Sequence, residues 1–123
     1  MSIEELRKGY FLCDGEIISL NVNLDYSSYD SSTTKVALRV RKRITRKLSE
    51  PCIVELTFIK VQDLRLFEDF KSGRDYSDIV LKELESGQIY LSLDPFGNSG
   101  EPHEEDNLVI ISKGILVEEK KKE

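Results

Sequence analysis

The sequence predicts a mainly β domain, an antiparallel meander of about six strands forming a sandwich or an open barrel, with one short N-terminal helix. Three observations carry this prediction. Apolar and polar residues alternate with a period of two over much of the chain, the spacing of half-buried strands. Short clusters of Ser, Asp, Gly and Pro separate the alternating stretches, where parallel strands would need long crossovers. No stretch sustains the 3.6-residue period of a long amphipathic helix. A strongly bent sheet with the helix on one face is the alternative architecture.

The elements follow in order. Ser2-Ile-Glu-Glu5 has the form of a capping box, in which the Ser2 hydroxyl accepts from the Glu5 N–H and the Glu5 carboxylate reaches back. A helix of at most two turns, ending near Gly9, needs packing against the rest to persist. The first strand is expected over Glu16 to Tyr26, with Ile18, Leu20, Val22, Leu24 and Tyr26 on one face. The second is expected over Lys35 to Arg46. Val36, Leu38, Val40 and Ile44 point one way and Arg39, Arg41 and Arg43 the other. Lys42 interrupts the apolar face and marks a bulge or the end of the sheet. Ser49-Glu50-Pro51 reads as the next turn.

The third strand begins at Cys52. Cys52, Val54, Leu56 and Phe58 share a face, and Ile53 and Ile59 on the other imply a central position. Val61-Gln62-Asp63 shifts the phase. A charged connection over Phe67 to Asp75, around Ser72-Gly73, leads to a hairpin of Ser77 to Leu84 and Gln88 to Asp94 across Glu85-Ser86-Gly87. Asp94 to Asp106 carries Pro95, Gly97, Asn98, Gly100 and Pro102 and reads as a loop. The last strand is expected over Asn107 to Val117, interrupted near Gly114.

The 123 residues suffice for one core and leave two marginal. Residues 1–123 therefore read as a single domain, with a core of about 10–117 and a charged, frayed tail over 118–123. A hydrophobic share of 39% is too high for an obligately disordered chain. Uncharged apolar runs such as Leu108–Ile111 fall far short of the ~20 residues that span a bilayer. Glu4 and Glu5 stand where a signal peptide would carry bases. These features point to a cytoplasmic protein that does not enter a membrane. Cys13 and Cys52 read as small buried hydrophobes of a reducing compartment.

The net charge of −5 conceals an asymmetry. Seven of the 18 bases lie between Thr34 and Ser49 with no acid among them, so the remaining 11 face all 23 acids. From Asp94 to Asp106 there are five acids and no Lys or Arg. A basic strand is thus set in an acidic body, a distribution that bears on partners and on association rates.

Catalytic chemistry has little foothold. His103 is the only imidazole, and it sits in the acidic loop without a placed nucleophile. No Walker A, GxGxxG or HExxH string occurs. One His without a CxxC excludes a four-ligand zinc site of the usual kind. The loop from Asp94 departs from calcium-loop spacing, because Phe96 stands where the third-position ligand belongs. The expectation is therefore a protein that is not an enzyme, with no catalytic residues, no metal and no cofactor. The basic strand Lys35 to Lys47 offers a nucleic-acid-binding module as the alternative. Arg39, Arg41 and Arg43 recur every ~6.6–6.8 Å and could track phosphates. The acidic body and the lack of interleaved aromatics make nucleic acid the lesser expectation. Tyr10, Phe11, Tyr26 and Tyr29 read as an aromatic cluster of core or rim.

Taken in series, Cys13-Asp-Gly-Glu-Ile-Ile-Ser19, the string Val54 to Phe70 (VELTFIKVQDLRLFEDF), Tyr90-Leu-Ser-Leu-Asp-Pro-Phe-Gly97 and Ile115-Leu-Val117 resemble small bacterial immunity proteins of polymorphic-toxin loci. The nearest likeness is to the immunity family numbered fifty. The family's His-Asp pair before the first strand is Cys13-Asp14 here. The resemblance implies a non-catalytic protein that neutralises a cognate toxin domain by occluding its active site in the cytoplasm of the producing cell. If the toxin is a basic nuclease, the contact residues expected first are Glu101, Glu104, Glu105 and Asp106. If it is acidic, Arg39, Arg41 and Arg43 take that role. The chain itself would be a monomer, or a homodimer formed by sheet extension.

Overall fold

The computed structural model describes residues 1–71 and 73–120; Ser72 and residues 121–123, the end of the expected tail, lie outside the described residues. Helix α1 (Ile3–Gly9) is followed by strands β1 (Tyr10–Asn23), β2 (Thr33–Arg43), β3 (Ser49–Arg65), β4 (Asp75–Tyr76), β5 (Val80–Glu83), β6 (Ile89–Asp94) and β7 (Asn107–Lys120). They form one antiparallel sheet of order β4-β1-β2-β3-β7-β6-β5. Two meanders, β1-β2-β3 and β5-β6-β7, therefore meet along the β3–β7 pair, and no second sheet forms a sandwich among the described residues.

The sheet has to curl. A flat sheet of seven strands would hold its outer strands roughly 29 Å apart at ~4.8 Å per step. Strand β4 lies at one edge and β5 at the other, yet only residues 77–79 join them. That link spans at most roughly 14 Å, so the edges must approach. The result is a half-barrel with a seam where β1 and β4 come near β5 and β6. Hydrogen bonds fasten β4 to β1 on one side of the seam: Asp14 N–H donates to the Ser77 carbonyl at 2.9 Å, Ile17 N–H to that of Arg74 at 2.7 Å, and the Tyr76 hydroxyl to that of Leu12 at 2.6 Å. Gly15 is required here, because a Cβ would lie 2.6 Å from the Tyr76 hydroxyl and 2.7 Å from the Arg39 carbonyl.

Residues directly opposite in a ladder share a face. The inner face carries Val36, Leu38, Val54, Leu56, Phe58 and Leu91, all buried, and forms the core. Helix α1 adds Leu6, which is fully buried, to one end of that core. Its Ser2–Glu5 capping box forms in both directions. At this end Lys42, the interruption in the apolar face, reaches Glu119 at 3.0 Å, and the Tyr10 hydroxyl donates to the same carboxylate at 2.5 Å. These bonds, from Tyr10 first and then Lys42, hold Glu119 below the usual carboxylate range. Burial, reinforced by that carboxylate, pushes the Tyr10 hydroxyl well up.

Several boundaries differ from those expected. Strand β2 ends at Arg43, and the turn lies at residues 44–48, where Ile44 N–H donates to the Leu48 carbonyl at 2.9 Å. Ser49, Glu50 and Pro51, expected as the turn, pair with Arg43, Lys42 and Arg41. Among the described residues Pro51 pairs with β2 alone, a one-sided position that a strand proline tolerates. Residues 118–120, expected as frayed tail, continue β7 opposite Ile53–Glu55, and Lys120 lies 3.6 Å from Glu55. Their charges have partners on both faces of the sheet, which is why the strand persists. Strand β7 also runs unbroken through Gly114, where a Cβ would come within 2.9 Å of the Ile59 side chain. The phase shift at Val61–Asp63 is a register shift in the β3–β7 ladder, and β3 is the fourth of seven strands, as its two-sided apolar pattern implies.

Candidate functional site

The arginine stripe lies on the convex outer face, and its three cations are engaged within the chain. Arg39 bonds Glu16 at 3.2 Å, and Glu16 also holds Arg74 at 2.7 Å. Arg41 donates to the Ser49 hydroxyl at 2.8 Å and to its carbonyl at 2.9 Å. The Arg43 guanidinium sits 3.9 Å over the Phe11 ring. Glu16 stands directly opposite Arg39, whereas Arg41 and Arg43 reach diagonally, to Ser49 and Phe11.

The acidic loop, residues 95–106, is organised around one of its own acids. Asp106 was expected among the exposed contacts, but it is buried at 6% exposure. Its carboxylate accepts from the Tyr90 hydroxyl at 2.5 Å, Phe96 N–H at 2.7 Å and His103 N–H at 3.0 Å. Burial raises the Asp106 pKa, but these hydrogen bonds, from Tyr90 first, outweigh it, and the net shift is downward. Burial, and then the bond to Asp106, pushes Tyr90 up to about 12. The loop is thereby fixed with Glu104 and Glu105 exposed, while Glu101 pairs with Lys82 at 2.6 Å. His103 stacks on Phe96 with ring centroids 4.5 Å apart, and its Nδ1 accepts from Glu105 N–H at 3.0 Å. These contacts make His103 a loop-forming residue.

A third region combines features that the sequence leaves scattered. At the seam an apolar cleft of about 620 Å³ opens onto the inner face, walled by Ile17, Leu20, Leu66, Phe70, Leu93 and Leu108. Such a volume lies within the range of ligand sites. A second cleft of about 380 Å³ adjoins it, sharing Ile17, Leu93 and Leu108. Five carboxylates line the second cleft: Glu68, Asp69, Asp75, Asp78 and Asp94. Lys71 reaches Asp69 at 3.5 Å, and Arg74 on the apolar rim is held by Glu16. Asp94, the last residue of β6, lies between this cleft and the acidic loop that follows it.

The inward residues of β1 meet this opening. Leu20 and Val22 stand opposite Val36 and Thr34 on the inner face, as their alternation requires. Val36 is fully buried, whereas Leu20, Val22 and Leu24 are 36–42% exposed. Phe70, which lines the same cleft as Leu20, is exposed, as is Phe67, and Tyr26 is almost wholly in solvent. The aromatic cluster expected near the N-terminus is therefore dispersed. Tyr10 is in the core, Phe11 lies under Arg43 and Tyr26 is on the rim; the Tyr29 side chain lies outside the described residues.

The two cysteines are thiols in different settings. Cys52 is buried, as expected. Cys13 is exposed, correcting that expectation, with its sulfur 3.6 Å from Asp78 Oδ1. Shielding of the sulfur, and then the Asp78 carboxylate, raise its pKa and disfavour the thiolate. Among the described residues no three His, Cys, Asp or Glu side chains converge as metal ligands, and no helix is long and apolar enough to cross a membrane. Comparison with protein-family models, with curated proteins and with solved structures finds no match in any of the three.

Proposed function

We propose that this chain is a non-catalytic binding protein that docks its acidic side onto a basic partner. In this reading it acts as an immunity protein occluding the active site of a cognate toxin domain. The observation that carries the reading is the contrast in charge availability. The cations of the convex stripe are paired inside the chain, while Glu104 and Glu105 are held outward by a loop that Asp106 ties down. A loop backbone already held in place has less conformational entropy to lose on binding, and the field of its exposed acids speeds encounter with a basic cleft. The sequence resemblance supplies the class of partner. Engagement of Arg39, Arg41 and Arg43 also weighs against a nucleic-acid interface on that strand. The settings of His103 and Cys13 favour binding over catalysis.

The experiment is capture on the tagged full chain from cells that carry this gene, at ~0.15 M salt, followed by titration of the captured protein's activity. Recovery of one basic partner, inactivated at one equivalent, is the expected result. Charge reversal at Glu101, Glu104 and Glu105 should raise its off-rate. A partner whose activity survives an excess of the chain, or a stoichiometric acidic partner, would contradict the proposal.

A further inference from the structure

The two outer edges of the sheet are treated differently. Strand β5 is short and carries Lys82 and Glu83, and Lys82 is covered by Glu101 from the acidic loop. Charge and cover are the usual protection of an edge. On the other side β4 and the residues flanking it cover β1 from Leu12 to Ile17 and, among the described residues, no further. From Ser19 to Asn23 β1 pairs in regular register with β2, and no strand lies on its outer side among the described residues. This stretch, Ser-Leu-Asn-Val-Asn, holds no charge and no proline. Its two inward side chains, Leu20 and Val22, are partly exposed, and Leu20 also walls the 620 Å³ cleft.

We propose that the seam receives an extended segment of a basic partner as an added strand on the edge Ser19–Asn23. An apolar side chain of that segment fills the cleft, and a flanking Lys or Arg meets the carboxylates beside Ile17. An added strand satisfies the edge through main-chain hydrogen bonds, and alternate side chains supply the selectivity. Its inward residues would cover Leu20 and Val22 as β2 covers them on the other side. Charge identifies the occupant. The clefts share Ile17 and Leu93, so a chain lying along β1 toward Ile17 passes from an apolar wall to Glu68, Asp75 and Asp94. Antiparallel pairing with a second copy about Asn21 would set Asp25 of one copy beside Ile17 and its flanking carboxylates in the other, an acid-on-acid contact that a basic segment avoids. The inference rests on the reading of this chain as a protein-binding domain, and it names the surface and the kind of segment that surface takes.

The test is selection of a random dodecapeptide display library on the immobilised full chain. The selected peptides are then synthesised and titrated in solution. The expected peptides alternate large apolar residues and carry Lys or Arg toward one end. Their amide shift perturbations should centre on residues 19–23 and on the cleft. Leu20→Lys with Val22→Lys, and separately Asp75→Asn with Asp94→Asn, should each weaken binding at least tenfold. N-methylation of alternate peptide amides should abolish binding to the unaltered chain, a readout that does not depend on how the variants fold. An acidic consensus, no enriched consensus, or affinity indifferent to N-methylation would overturn the proposal. So would a homodimer in sedimentation that Val22→Lys dissociates, since the edge would then belong to a second copy. A chain that inactivates its captured partner yet ignores these peptides would refute the seam alone. Failure in both assays would refute the binding reading as well.

Discussion

The two ends of the half-barrel carry the same kind of inner surface and meet different fates. At one end α1 lays Leu6 into the core, and the Tyr10, Lys42 and Glu119 side chains close over it. At the other, Leu20 and Val22 on the same face of the same sheet remain partly in water, and Leu20 shares a cleft with the exposed Phe70. Periodicity decides which face a residue takes; burial depends on whether a later element arrives to cover it. Nothing in an alternating strand records that second event, and the stretch that lacks a cover is where apolar area remains for a partner.

Substitutions can break this comparison, and the closed end should respond most. Leu6→Ala removes a fully buried side chain from the element that stoppers the core, so it should destabilise the fold by about 2–5 kcal/mol in urea titrations. A much smaller loss would mean that α1 is an ornament on a core that closes without it.

The acidic loop should respond next. Asp106→Asn replaces an acceptor-only group by an amide whose NH2 must face one of three donors, at a cost of about 1–3 kcal/mol. The pH dependence has a definite sign. The folded Asp106 pKa is lowered, so near pH 4 the unfolded chain binds the extra proton and stability rises with pH. The advantage of the native protein over Asp106→Asn should thus be complete above the unfolded value of about 4 and shrink as pH falls toward the lowered one. An advantage independent of pH between 6 and 2 would show that the carboxylate charge is not what orders the loop.

Thr34 sharpens the comparison at its border. It lies between Val22 and Phe58 on the inner face, is fully buried, and its hydroxyl has no hydrogen-bond partner among the described residues. Thr34→Val should raise stability by about 1 kcal/mol, because it removes an unmatched polar group at nearly constant volume. A loss of stability would reveal a partner for the hydroxyl near the open end.

Much of the sheet was legible in the sequence because its signals are local. The capping box at Ser2–Glu5, the hairpin around Gly87, the phase shift at Val61–Asp63 and the interruption at Lys42 each record a contact within reach of neighbouring residues or of the facing strand. The pairing of β3 with β7 was not legible, since residues as far apart as Ile53 and Lys120 carry no mark of each other. For the same reason the tail at 118–120 looked frayed. In the site, the acids and arginines were identified from charge runs, but their availability was not. Asp106 differs from Glu105 in the Tyr90 hydroxyl and the Phe96 and His103 N–H groups that converge on it, none of which its neighbours in sequence announce. The seam was missed because its walls come from β1, β6, β7 and the connection at 66–74. The density of Phe and acid in Phe67-Glu-Asp-Phe70 was the one signal that could have drawn attention there.

The most direct test of the account is urea unfolding of the double variant Leu20→Lys, Val22→Lys, measured beside Leu6→Ala. If the open end is kept for a partner, the double variant should retain its midpoint and slope, within about 0.5 kcal/mol of the native chain, as exposed substitutions do. A loss of several kcal/mol, comparable to that of Leu6→Ala, would place Leu20 and Val22 in the core and contradict the difference between the two ends.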